Sequence, residues 1–240
     1  MGMQIRDQRH RLNQLERERQ PASGFSLLEM VIVVAIVLAV SGFAVVSTQG
    51  AMKDARINGA YDNAFMQLRQ ARERSIEERK RYIVTFGQPA LTGALTPLGA
   101  PTAKSIQLYR WDAANAPPCP CTVPAPVQVA TIDLPVDVDF QIVSGVPTSA
   151  ATVPDGFGSG LVPVDFDQGV TAFPNSANSV MFVPDGSAHD TLGNYNNGIV
   201  YLSRAGDLNS SRAITVFGTS GRVRGWRITQ VGGVAKWKQQ

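Results

Sequence analysis

Glu29 is the only charged side chain between Phe25 and Met52, and it stands four residues after Phe25. On a helix that spacing puts the two one turn apart on the same face. A carboxylate near the end of a membrane helix costs less than one at its centre, where transfer scales give roughly +2.5 to +3.5 kcal/mol, but it still calls for a partner. The junction Gly24-Phe25 can supply one. Cleavage there would leave Phe25 with a free α-amine, a cation one turn from the Glu29 carboxylate. The two can neutralise each other within a subunit or between neighbours. The competing reading is an ordinary single-pass anchor whose Glu29 reaches water.

A second group with chemistry to offer lies near the other end. Arg222, Arg224 and Trp226 alternate, so a continuous strand points all three the same way. Arg227, Lys236, Trp237 and Lys238 follow. Arginines grip phosphates with paired donors, and an indole can stack on an unpaired base. The structural alternative is a basic hairpin edge whose charge discourages unwanted sheet pairing. Read as exposed, Arg222 and Arg224 should carry little stability.

Catalytic constellations are thin. His10 lies in a charged N-terminal stretch, which leaves His189 in a turn-rich region and reads as a surface residue. No Gly-x-Ser-x-Gly elbow, P-loop or dinucleotide fingerprint occurs, so no catalytic residue and no cofactor is expected. Asp137-Val138-Asp139 and Asp165-Phe166-Asp167 each put two carboxylates on one strand face. Oxygen ligands suit calcium, but neither segment has a calcium loop, and both read as solvated strand faces; no metal is expected. Cys119 and Cys121 would close a small, strained ring. With no His beside them they fall short of a zinc site. They read as two thiols or a strained local bridge.

These groups must be positioned by a few elements. From Met30 to Met52 there is no charge, and at about 1.5 Å per helical residue the run can cross the roughly 30 Å hydrocarbon core of a bilayer. After it, Ile57, Tyr61, Ala64, Phe65, Leu68 and Ala71 recur at three- and four-residue steps, one face of an amphipathic helix. The spacing predicts one long helix from about Phe25 to about Arg79, with Gly42 and Gly50 as weak points. The charges from Arg72 to Arg81 read as a solvated helix end.

From Tyr82 the reading is β. Expected strands are Tyr82–Phe86, Ser105–Trp111, Val127–Ile132, Val136–Ile142, Leu161–Phe166, Ser179–Val183, Gly198–Arg204, Arg212–Phe217 and Arg222–Thr229. Turn signals such as Pro184-Asp185-Gly186 and Ala205-Gly206-Asp207 separate the later ones. In Val136–Ile142, Val136, Val138 and Phe140 should form the dry face. The Pro-rich stretch 116–126 reads as an exposed extended loop, and residues 144–160 as loop. The chain has 240 residues and a net charge of +3, with a pI near 9.0. That suits one domain plus an anchor, and a mild basic balance does not by itself imply nucleic acid.

Ser23-Gly24-Phe25-Ser26-Leu27-Leu28-Glu29-Met30-Val31-Ile32-Val33 resembles the class III signal of type IV pilins and type II secretion pseudopilins. Phe182-Val183-Pro184-Asp185-Gly186, Gly198–Leu202, Ala213–Val216 and Ser220–Arg224 resemble the C-terminal half of the GspH/FimT minor pseudopilins, over about residues 180–228. The loops near 120 and at 144–160 look like additions to that family's length. The resemblance implies an α+β, pilin-like fold: a long N-terminal helix, transmembrane and then amphipathic, packed on antiparallel β-sheets. It implies a cleaved cytoplasmic leader at 1–24, a transmembrane or fibre-core helix at 25–52, an amphipathic helix at 53–80 and a periplasmic β-rich domain at 81–240. A prepilin peptidase would cut after Gly24 and methylate Phe25, and Glu29 would guide assembly. The partners implied are that peptidase, other pilins or pseudopilins through the N-terminal helix, and inner-membrane lipid.

Three readings therefore stand side by side. One is a non-enzymatic minor pilin or pseudopilin at or near the tip of a type IV pilus or type II secretion pseudopilus. Another adds DNA capture for natural transformation, which the resemblance links to Gly221-Arg222-Val223-Arg224, with Trp226, Arg227 and Lys236 beside it. The third is a membrane-anchored enzyme or adhesin, from which Gly24-Phe25 and Glu29 separate the first two.

Overall fold

The computed structural model describes residues 25–87, 103–111, 126–149, 151–168, 178–190 and 193–240. Residues 1–24, Cys119, Cys121 and nearly all of the Pro-rich stretch lie outside them. The chain divides into two units, Met1–Gly50 and Ala51–Gln240.

In the first unit the described residues form the start of helix α1 (Leu27–Glu77). Its large apolar side chains from Leu27 to Phe43 are exposed, and the helix is long and apolar enough to cross a membrane. An all-round apolar surface is what a helix shows when lipid or other helices, rather than its own domain, are to cover it.

In the second unit α1 becomes amphipathic. Ile57, Ala60, Tyr61, Ala64, Leu68 and Ala71 are buried in one core, with Phe65 packed against it, which is the face that the periodicity predicts. The helix ends where Arg79 turns to φ 51°. A residue in the left-handed region just past the last turn breaks the ladder, and Arg74 in that turn complements the helix dipole.

Among the described residues ten strands follow: β1 (Arg81–Phe86), β2 (Ser105–Trp111), β3 (Val127–Asp133), β4 (Val164–Gln168), β5 (Ser179–Phe182), β6 (Ala188–His189), β7 (Asn197–Arg204), β8 (Asp207–Phe217), β9 (Arg222–Val231) and β10 (Val234–Gln239). They make two five-stranded sheets, ordered β3-β2-β1-β5-β6 and β10-β9-β8-β7-β4, and every pairing is antiparallel. Tyr82, Val84, Phe86, Leu108 and Phe182 of one sheet and Val200, Leu202, Ile214 and Val216 of the other meet the helix face in the same core. Side chains alternate across each strand, so the same registers fix which residues turn away from the helix. The observed fold is the one expected, a long helix packed on antiparallel sheets.

Several local expectations are corrected. Val136–Ile142 is not a strand: Val138 N–H bonds back to Pro135 O at 3.0 Å, and the segment keeps a single bridge, Asp139 to Ser203. The turn after Pro135 leaves Val136 90% exposed, while Val138 and Phe140 are buried as their alternation suggested. Leu161 is also exposed, and its strand starts only at Val164. β8 begins five residues earlier than expected, and β6 and β10 were not foreseen. β10 is joined to β9 by Gly232 (φ 61°) and Gly233 (φ 79°), the two positive-φ positions that a type I′ hairpin turn needs.

Candidate functional site

The N-terminal site lies on α1. Phe25 is 74% exposed and precedes the first helical residue, and Glu29 sits in the first turn. Met30 N–H to Ser26 O, at 3.1 Å, closes that turn. The first N–H groups of a helix carry partial positive charge, so the first turn of α1 by itself favours a carboxylate at Glu29. Among the described residues Glu29 has no ion pair. Gly24 lies outside the described residues.

The five basic and aromatic residues near the C-terminus are not brought together. The β8–β9 register sets Phe217 opposite Arg222, Thr215 opposite Arg224, Ala213 opposite Trp226 and Arg212 opposite Arg227. Arg222, Arg224 and Trp226 thus share the face turned away from the helix. Arg227 and Lys236 sit on the other face, in line with Arg212 and Thr229.

On the outward face, residues 142–149 and 151–160 pack over the sheet. Ile142 and Phe157 pack with Trp226 and Trp237 against buried Ile199, Tyr201 and Ala213. Trp237 Nε1 donates to Pro147 O at 3.1 Å. Burial, then the charge of Asp165, push the Tyr201 phenol well above its usual range. Asp165 is itself buried and accepts from Ser159 N–H at 2.7 Å and Ser159 Oγ at 2.8 Å. The expectation of a solvated strand face at Asp165 is therefore wrong, because the loop closes over it.

Asp155 is the hinge of this cover. It adopts φ 53° in a short 3-10 turn (Pro154–Gly156), a conformation that Asp tolerates better than most residues. Its carboxylate accepts from Thr215 Oγ1 at 2.6 Å and from Arg224 Nη1 at 2.5 Å. The Asp155 side chain is only 7% exposed and that of Arg224 26%. Arg224 is accordingly not the exposed cation that the sequence suggested. Trp226 is half-buried and donates from Nε1 to Thr215 Oγ1 at 3.1 Å. Arg222 is exposed, with its guanidinium 5.0 Å from the centre of the Phe217 ring.

The glycine of the Gly-Arg-x-Arg motif also has a packing reason. Gly221 lies at φ 59°, and a Cβ there would run into Gly186 O. Arg72 Nε donates to that same carbonyl at 3.1 Å. Asp155 and Phe217 escaped sequence reasoning: Pro154-Asp155-Gly156 reads only as a turn, and nothing local says that it folds back onto β8 and β9.

His189 is not a loose surface residue. Nε2 lies 2.7 Å from Ser187 Oγ and Nδ1 2.8 Å from Gly193 O, and the ring lies against Tyr195. Ser187 Oγ in turn meets Asp185 Oδ1 at 2.5 Å. The serine stands between acid and imidazole, so the imidazole is not between nucleophile and carboxylate as in a catalytic triad. Among the described residues no cluster of His, Cys, Asp or Glu is placed to hold a metal ion.

Residues 19–45, the segment that holds Gly24, Phe25 and Glu29, match the prokaryotic N-terminal methylation motif. No curated protein matches the chain. Among solved structures, the type IV minor pilin FimU of Pseudomonas aeruginosa strain PAO1 is similar at 10% identity and a TM-score of 0.36, over 75% of this chain and 91% of that one.

Proposed function

We propose that this chain is a non-enzymatic minor pilin or pseudopilin. A prepilin peptidase removes residues 1–24 and methylates the amine of Phe25. The apolar half of α1 then anchors the subunit in the inner membrane and, after assembly, packs among other pilin helices. The observation that carries this reading is the methylation motif at residues 19–45, continued by a helix whose large apolar side chains are exposed from Leu27 to Phe43. The Glu29 carboxylate, one turn from the new amine, gives neighbouring helices a charge pair to form in an apolar setting, where such a pair is stronger than in water.

DNA capture through Gly221-Arg222-Val223-Arg224 is the alternative, and it draws mainly on Arg222. Gly221, Arg224 and Trp226 have packing and hydrogen-bonding roles within the domain. The fibre-subunit reading therefore stands first.

Mass analysis of the N-terminus of membrane-extracted protein, from cells that contain prepilin peptidase, tests the proposal. The expected mature chain starts at a methylated Phe25. A start at Met1, or beyond residue 45, overturns it.

A further inference from the structure

Three cations stand side by side on the helix-facing side of the second sheet. Arg212 on β8 is directly opposite Arg227 on β9, and Arg227 is directly opposite Lys238 on β10. Directly opposed residues have Cβ atoms about 5 Å apart, and like charges so placed repel. The innermost member is the most constrained. Arg212 is 2% exposed, and its donors reach only neutral oxygens: Asn209 O at 3.0 Å, Ser211 O at 3.1 Å and Asn58 Oδ1 at 2.9 Å. Its Nε is buried with no acceptor among the described residues. Burial, and then the charge of Arg227, push the Arg212 guanidinium down to about 10.

Nothing among the described residues forms an ion pair with this row. The nearby carboxylates of Asp54 and Asp207 are turned to Arg204 instead. An unpaired buried cation is costly, and two more beside it add to that cost. A cavity of about 540 Å³ opens at the exposed end, lined by Arg227, Thr229 and Lys238 and, from the other face of the sheet edge, by Asn209 and Gln230; Arg212 stands next to it without lining it.

We infer that Arg212, Arg227 and Lys238 form a binding site for a phosphate-type oxyanion. Arg227 and Lys238 reach it from the cavity, and Arg212 adds a fixed charge from beneath. Arginine's planar fork suits a group with several oxygens, and a doubly charged anion offsets more of a three-cation row than a single carboxylate would. The site is separate from Arg222 and Arg224, which lie on the opposite face, and it does not depend on the fibre-subunit reading.

The test uses the full chain in neutral detergent at pH 7.5. Thermal unfolding is followed in sodium phosphate and in sodium chloride at equal ionic strength. Phosphate should raise the unfolding midpoint by several degrees in a saturable way, and chloride should not. The paired variant Arg227→Gln with Lys238→Gln, which changes only exposed side chains, should lose the phosphate response. In dilute chloride it should melt no lower than the parent, because the like-charge row is broken. Coincident phosphate and chloride curves for the parent overturn the site, as does a full phosphate response in the paired variant. A second arm identifies the source of the phosphate group. If a lipid headgroup fills the site, phosphatidic acid nanodiscs, which present a phosphomonoester, raise the midpoint over phosphatidylcholine nanodiscs, and added inorganic phosphate gives no further rise. If free phosphate is the ligand, it acts equally in both.

Discussion

Gly225 lies directly beneath the hydroxyl of Tyr61, so close that a Cβ at residue 225 would overlap the phenolic oxygen. One residue is on α1 and the other is in the middle of β9, and their contact sets how near the helix comes to the second sheet. Burial, and then the charge of Asp62, push the Tyr61 phenol up to about 12. The glycine is needed for space and not for an unusual backbone angle.

Gly225→Ala should therefore destabilise the domain by about 1–3 kcal/mol through overpacking. Adding Tyr61→Phe removes the obstructing oxygen and should recover part of the loss. Thermal unfolding of the single and double variants checks this. Equal losses in both would show that the crowding at Tyr61 is not the cause.

Arg224→Ala should cost roughly 3–5 kcal/mol, since it strands the buried Asp155 carboxylate. Arg222→Ala, which gives up an exposed stacking contact on Phe217, should cost about 1 kcal/mol or less. A DNA-binding test built on changing both arginines would confuse unfolding with lost contact. Arg222→Ala alone is the cleaner probe. Chemical denaturation of both variants measures the difference, and equal stabilities would remove the structural role given to Asp155.

Glu29→Ala should leave membrane insertion intact or improved, because the helix becomes wholly apolar there, but should block entry into the fibre. Fractionation of membranes, alongside quantification of sheared fibres, separates the two effects. Assembly at the parent level would refute pairing between Glu29 and the Phe25 amine.

Stability should fall in acid through Asp185 and Asp207. The Ser187 hydroxyl and then the Ser187 N–H hold the Asp185 carboxyl below its usual 3.8. Burial alone would raise Asp207, but the Arg204 hydrogen bond and charge, with the Ser210 and Asn209 N–H groups, bring it below 3.8 as well. A carboxyl with a depressed folded-state value contributes fully above 3.8 and loses that contribution as pH falls through the depressed value. Unfolding midpoints measured from pH 5 to pH 2 should drop below pH 4, and less steeply in Asp185→Asn. An unchanged slope in that variant would discount the Asp185–Ser187 contact.

Much of this protein was legible in its sequence because the relevant signals are local or periodic. Gly24, Phe25 and Glu29 are contiguous with the apolar run, so the resemblance to a class III signal lies within one short stretch, the one that the methylation motif matches. Ile57, Tyr61, Leu68 and Ala71 recur with the helical period, and a helix has one way to bury such a face. β2 was located to the residue because β-branched and aromatic side chains bounded by turns leave little choice. The tertiary structure decided what depends on residues far apart in the chain. Val136 alternates correctly with Val138 and Phe140, yet the turn after Pro135 throws it into solvent. Residues 144–160 read as plain loop, but the described part of that segment folds over β7–β10 and converts Asp165 and Arg224 from surface charges into buried or partnered ones. Arg222, Arg224 and Trp226 alternate on one strand, which already turns Arg227 to the other face, but only strand register places Lys236 and the partners across from each. On a pleated strand neighbouring side chains leave by opposite faces, and which partner lies across from each is set by pairing between strands, which the linear order of residues does not contain.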